Sequence, residues 1–283
     1  MLQLPAPEMA LFMVAGLLYG GAAVVGLIQL SARWQASGRL LVPLVCLGIC
    51  LESLILVFRA ASIKAIPLTG LFESMLVLTI VLGLLYVFLS IGIRQVWFGS
   101  IMAWTILVLL VLAAVVAKPA TVPTKVAVTP WMVFHAIAMV LSSVAIAFST
   151  ATAALYLLGD HKLKERKVMS VLGYVPNMEW LRHANKLGLT YCFVTMTAGL
   201  AIGIGLAVME SASMGMIWSD WILDPKIVLI AVTWFSLVAI LSLHSFAGLS
   251  DKAMGYATLL LFFLILFAVV GVTLFCGTKH VFT

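Results

Sequence analysis

Charge is scarce in this sequence. Asp, Glu, Lys and Arg make up 9% of its 283 residues, against about 25% in a soluble globular domain. So few charges cannot coat a water-facing surface, which excludes a soluble enzyme. Cysteine is scarce as well: four in the whole chain exclude a disulfide scaffold. The low hydrophobicity that disorder requires is missing, because 64% of the residues are hydrophobic. Histidine is confined to His135, His161, His183, His244 and His280, so the first half of any helical bundle holds none.

What is present is apolar sequence in long runs. A helix crosses a bilayer with about 20 mostly apolar residues, and eight runs qualify: 8–30, 40–59, 72–92, 98–117, 130–158, 186–208, 226–248 and 254–276. The predicted fold class is therefore all-α, a polytopic transmembrane bundle forming one integral membrane domain over 1–283. Between the runs lie Ser31–Gly38, the turn Pro67-Leu68-Thr69-Gly70, Arg94–Trp97, the proline-bearing Lys118–Thr129, a long polar stretch Gly159–Asn185, Glu210–Asp224 and Gly248–Lys252. The formal net charge of +6 needs no nucleic-acid partner, since basic residues at membrane edges explain it. The partner it implies is the lipid bilayer.

Lys and Arg also orient the chain. Alternating the eight spans puts Arg33, Arg39, Arg94, Lys162, Lys164, Arg166, Lys167, Arg182, Lys186 and Lys252 on one side, ten in all. Arg59, Lys64, Lys118, Lys125, Lys226 and Lys279, six in all, fall on the other. The richer side is cytoplasmic, so Gly159–Asn185 is predicted to be cytoplasmic and both termini outward. Met1–Glu8 lacks the basic segment of a cleaved signal peptide.

In so apolar a chain the ionisable residues carry the information, because burying them in lipid is costly. His161 and His183 read as solvated loop residues. His135 opens the fifth run, one helical turn after Trp131 and on its face. His280 follows the last run. The loop Met214–Lys226, M-G-M-I-W-S-D-W-I-L-D-P-K, shares their outer level. Imidazole ligates haem iron and indoles pack on a flat macrocycle. Taken singly, these histidines also read as interfacial residues without a ligand, and Trp218 and Trp221 as part of an interfacial aromatic belt. Asp224 suits a helix N-cap and Pro225 the first helical position. His244 lies 18 residues beyond Lys226, about 27 Å along a helix, so it belongs to the opposite membrane face; it reads either as a polar helix-end residue or as a ligand of a second haem, or of the same haem at an earlier stage of transit. Glu52, mid-helix, reads as a buried acid or a partner for another helix. Cys46 and Cys50, one turn apart, read as packing, as do Cys192 and Cys276. Gly16 with Gly20, and Gly199 with Gly203, have the spacing of close helix packing in lipid. The methionines read as filler.

These residues carry a resemblance. From Pro67-Leu68-Thr69-Gly70-Leu71-Phe72-Glu73-Ser74 to the tail the chain resembles the CcsA/ResC/HemX branch of the cytochrome c assembly family, with the haem-handling part at about 60–283. The closest stretch is W-S-D-W-I-L-D-P-K-I-V-L-I-A-V-T-W, followed by a helix ending in S-L-H. In that family this loop, the WWD motif, is external and holds haem. The resemblance implies His135 and His280 as axial ligands, His244 as a membrane-embedded station, and Trp218, Trp221, Asp224, Pro225 and Trp234 as haem-binding residues. The departures are Ile217 and Leu223 at usual tryptophan positions, Trp218 one place off, Ile227 for a usual Glu and Leu229 for a usual Trp. They imply haem held less tightly or in another way.

The function so implied is a multi-pass haem-binding protein of a bacterial plasma membrane. It holds non-covalent b-type haem at the outer face and presents it to apocytochrome c, with a CcsB/ResB-like membrane partner. Covalent attachment to this chain is excluded by the absence of C-x-x-C-H. Whether the chain alone counts as an enzyme stays open; at most it is the haem-handling subunit of a synthase. The alternative is a HemX-type regulator or scaffold of tetrapyrrole synthesis. A b-type electron carrier would need facing histidine pairs, and only His244 is placed for one. A transporter would show matched broken helices, which the sequence does not.

Overall fold

The computed structural model describes residues 4–31, 38–63, 71–92, 96–116, 129–164, 177–214 and 221–272. Regular structure among them is helical throughout: α1 (Ala6–Ser31), α2 (Gly38–Ile63), α3 (Leu71–Gly92), α4 (Val96–Val116), α5 (Pro130–Lys164), α6 (Met178–Met214), α7 (Pro225–Phe246) and α8 (Asp251–Leu266), the last running into a wider turn, Phe267–Gly271. Each of the eight is long and apolar enough to cross a membrane. The expected all-α, eight-span architecture is therefore what the chain forms.

The described residues at both ends of the polar stretch expected between the fifth and sixth spans are helical instead. α5 continues to Lys164 and α6 begins at Met178. The extra turns of α6 are amphipathic: Leu181, Ala184, Asn185 and Leu189 are buried at the i, i+3, i+4, i+8 spacing of one helix face, while Glu179, Arg182 and His183 point outward. His161 and His183 are exposed as expected, but on helices. At 37 residues α6 is about 55 Å long, well beyond the hydrocarbon thickness of about 30 Å.

The helices fall into two compact units. One comprises Met1–Pro123 with Leu158–Met178; the other comprises Thr124–Leu157 with Glu179–Thr283. In the first, α1 and α3 each lie along α2 and α4. The close approach expected at Gly16 and Gly20 occurs elsewhere. A Cβ at Gly20 would meet nothing within 4 Å, whereas one at Gly48 would stand 2.5 Å from the Tyr19 ring. α1 turns Ala15, Tyr19, Ala22 and Ala23 into the unit, which leaves Gly16 and Gly20 at the side of that stripe.

Two polar clusters tie this unit together. Glu52 is fully buried, and its carboxyl accepts from the Tyr19 hydroxyl of α1 at 2.9 Å and lies 2.8 Å from the Thr79 hydroxyl of α3. Glu52 is thus both a buried acid and a partner for two other helices. Nearer the helix ends, Arg59 is also buried. Its Nε donates to Glu73 Oε1 at 2.9 Å, its Nη2 lies 2.8 Å from the same oxygen, and Nη1 lies 3.6 Å from Glu8 Oε2. Arg59, one of the six cations assigned to the outer side, is thus the centre of a buried ion cluster.

In the second unit α5 and α6 run antiparallel in a fixed register. His135 bonds to the Gly199 carbonyl, Ser142 to that of Cys192 and Ser149 to that of Asn185. The pairs step seven residues along each helix, the repeat that keeps two helices in contact along one seam. The α7–α8 hairpin is short. Gly248 takes φ +68, a value cheap only for glycine, and the chain turns back so that Leu249 N–H reaches the Leu243 carbonyl at 3.2 Å. Ser250 caps α8. Ile146, Leu189, Cys192, Leu237, Met254 and Leu261 form the core between the four helices.

Replacing Arg59 by Met should lower the stability of the detergent-solubilised protein by about 3–5 kcal/mol, because Glu73 then loses its buried counter-charge. The double change Arg59→Met with Glu73→Met should recover most of that loss in thermal unfolding.

Candidate functional site

The start of α7 is dictated locally. Pro225 occupies the first helical position, and Asp224, 5% exposed, accepts from Lys226 N–H at 2.9 Å with Oδ1. Asp224 N–H in turn donates to the Trp221 carbonyl at 3.2 Å. The chain is thereby bent sharply between the tryptophan-bearing segment and the helix. Lys226 is half-buried in the first turn of α7. α6 meets α5 at Gly199 and α7 at Thr197.

His135 is held from below. Its Nδ1 lies 2.8 Å from the Gly199 carbonyl oxygen. A carbonyl only accepts, so Nδ1 carries the proton and donates it. In the neutral ring Nε2 then keeps its lone pair. Metal-ligating histidines are commonly fixed in this way, the second nitrogen donating to a backbone carbonyl. The ring rests over Gly203, where a Cβ would stand 2.8 Å from Cε1 and 3.0 Å from Nδ1. Trp131, one turn earlier, is 58% exposed and packs against Phe134 at 6.2 Å.

Trp234 is farther down α7, about 15 Å of axial rise below Asp224. Its indole N–H donates to Thr197 Oγ1 at 2.9 Å, and its ring stacks on Phe193 at 6.0 Å and meets Phe235 edge-on at 5.0 Å. These contacts fasten α7 to α6 directly beneath the His135 level. His244 lies in the last turn of the same unbroken helix, so the 18-residue separation from Lys226 spans opposite ends of α7. Its Nδ1 is buried and has no hydrogen-bond partner among the described residues. His280 and Trp218 lie outside the described residues. Among the described residues no three His, Cys, Asp or Glu side chains gather as a bare metal ion would need. The cysteines fit their packing role in part: Cys192 is buried against Ser142, while Cys50 is exposed on α2.

The comparison with protein families adds a decisive match. The model of the cytochrome C assembly proteins covers residues 68–279, about three-quarters of the chain. The chain belongs to the cytochrome c assembly protein family. No curated protein matches it. This cytochrome c assembly protein therefore acts in cytochrome c biogenesis, a haem-related process, and is a multi-pass membrane protein by its eight spans. The matched region begins just before α3, includes His135, Trp221, Asp224 and His244, and stops one residue short of His280.

Sequence reasoning missed the partner of His135, the Gly199 carbonyl. The Gly199/Gly203 spacing was a visible signal of close packing; the residue it packs against was not.

Asp224→Ala should cost about 1 kcal/mol of stability through loss of the cap, and Asp224→Asn almost none. Thermal unfolding of both variants without haem separates this local role from any role in haem binding.

Proposed function

We propose that this cytochrome c assembly protein holds haem at the outer face of a bacterial plasma membrane and presents it to apocytochrome c. The observation that carries the reading is the fixed His135 imidazole. Its Nδ1 is committed to Gly199, which leaves Nε2 to ligate iron. Haem supplies a redox-active iron and vinyl groups for thioether attachment. The chain's part is to bind and orient it. His135 and His280 would hold its iron. Trp218 and Trp221 would offer indoles for the flat ring to pack on, with Asp224 and Pro225 shaping the bend before α7. Lys226, a cation in the first turn of α7, suits a haem propionate. Trp234 braces the helix under the site through Thr197. The haem is b-type, bound without a covalent link.

His244 serves a second station on the cytoplasmic side, supported by its buried Nδ1, which has no hydrogen-bond partner among the described residues. The first 134 residues contain no histidine, so a CcsB/ResB-like partner supplies the opposing ligand there. Both termini and the tryptophan-bearing loop face outward in this reading. One observation favours the alternative, a HemX-type regulator or scaffold of tetrapyrrole synthesis: Ile217, Leu223, Ile227 and Leu229 replace usual motif residues.

The purified chain should show a haem Soret band that the double change His135→Ala with His280→Ala weakens strongly. An unchanged band removes outer ligation. His244→Ala should slow haem loading and leave the outer spectrum nearly intact; equal loss of both removes the second station. Topology reporters fused within Met214–Lys226 should read as external, and a cytoplasmic reading inverts the scheme. Deleting the gene should abolish c-type cytochromes while total haem stays normal; altered haem synthesis with intact c-type cytochromes supports the regulator instead.

A further inference from the structure

His135 occupies a place in the α5–α6 seam that serines occupy elsewhere. Ser142 and Ser149, seven and fourteen residues on, reach the carbonyls of Cys192 and Asn185 at 3.4 Å each. His135 makes the shortest of the three contacts, 2.8 Å to Gly199, with a side chain several times larger than a serine's. Something on α6 must make room for the ring.

That residue is Gly203. A helical side chain leans toward the helix N-terminus and covers the turn before its own Cα. A side chain at position 203 would therefore cover the Gly199 carbonyl, four residues earlier. With glycine there, the carbonyl is bare and the imidazole can lie flat over the gap. A Cβ at this position would stand 2.8 Å from Cε1 and 3.0 Å from Nδ1, and a rigid aromatic ring cannot yield at its tip as a flexible chain would. Even alanine must push the ring away, and a shift of that kind breaks the bond to Gly199.

We propose that Gly203 is the positioning residue of His135: its missing side chain opens the Gly199 carbonyl to Nδ1 and so fixes the tautomer that leaves Nε2 as the iron ligand. The ligand role of His135 is taken from the proposed function; the seating of the ring over Gly203 is independent of it.

The test compares Gly203→Ala with Gly205→Ala in the full-length protein. A Cβ at Gly205 meets nothing within 4 Å, yet the change brings the same gain in helix propensity. The first readout uses haem-free protein labelled with ¹⁵N-histidine, the His135 signal being assigned by its loss in His135→Ala. Wild type and Gly205→Ala should show the Nδ1-protonated form, and Gly203→Ala should lose it. The second readout is haem titration, in which Gly203→Ala should lower affinity about 10–100-fold, the usual range for losing the partner that orients a ligating histidine. The third is thermal stability. Any loss caused by Gly203→Ala should vanish when His135→Ala is also present, because the crowded ring is then gone. A Gly203→Ala protein that keeps both the tautomer and the affinity overturns the proposal, as does a stability loss that persists without His135. Wild-type protein that binds no haem through His135 would sink the proposed function alone, and the tautomer readout would still decide what Gly203 does.

Discussion

Inside a bilayer a polar side chain keeps its place only by finding a partner on a neighbouring helix, since lipid offers none. The seam between α5 and α6 is built on that constraint. Three donors spaced by seven residues each reach a main-chain carbonyl across the interface. Main-chain acceptors cannot wander as side chains do, so they set the register of the two helices without ambiguity. Small residues at the seam let the backbones approach closely enough for short donors to reach. His135 inherits this register. The rest of the site, the bend before α7 and the brace at Trp234, is placed relative to a helix pair that cannot slide.

The two clusters in the α1–α4 unit obey the same rule with different chemistry. Glu52 is served by hydroxyls from two other helices, and Arg59 by two carboxylates from two other helices. Each cluster joins three helices at one point. Buried ion clusters are weak sources of net stability, because desolvation offsets their attraction. What they contribute is selectivity among packings, since any misplaced helix strands a charge.

The eight helices were legible in the sequence because apolar length is a strong signal for spans. The cap at Asp224-Pro225 was legible because it depends on adjacent residues only. The helical extensions of α5 and α6 were not, for their amphipathic turns read as polar when hydropathy alone is weighed. Leu181, Ala184 and Asn185 lie on one face, and only that periodicity distinguishes them from a loop. Gly16 and Gly20 misled, because spacing gives a candidate contact without saying which side of the helix faces inward. The Gly199–His135 bond was invisible, being a contact across 64 residues to an atom every residue possesses. His135 itself stood out as a rare imidazole in an apolar run, but what orients it required the fold.

The Glu8–Arg59–Glu73 cluster also bears on how the chain is made. The three residues leave the ribosome in that order, and the guanidinium is the only cation of the set. Glu8 has already emerged when Arg59 appears, and Glu73 follows 14 residues later. The guanidinium therefore has a counter-charge behind it from the start and gains its closest one as soon as the third helix emerges. The first half of the protein thus needs nothing from the histidine-bearing half to bury its arginine during synthesis.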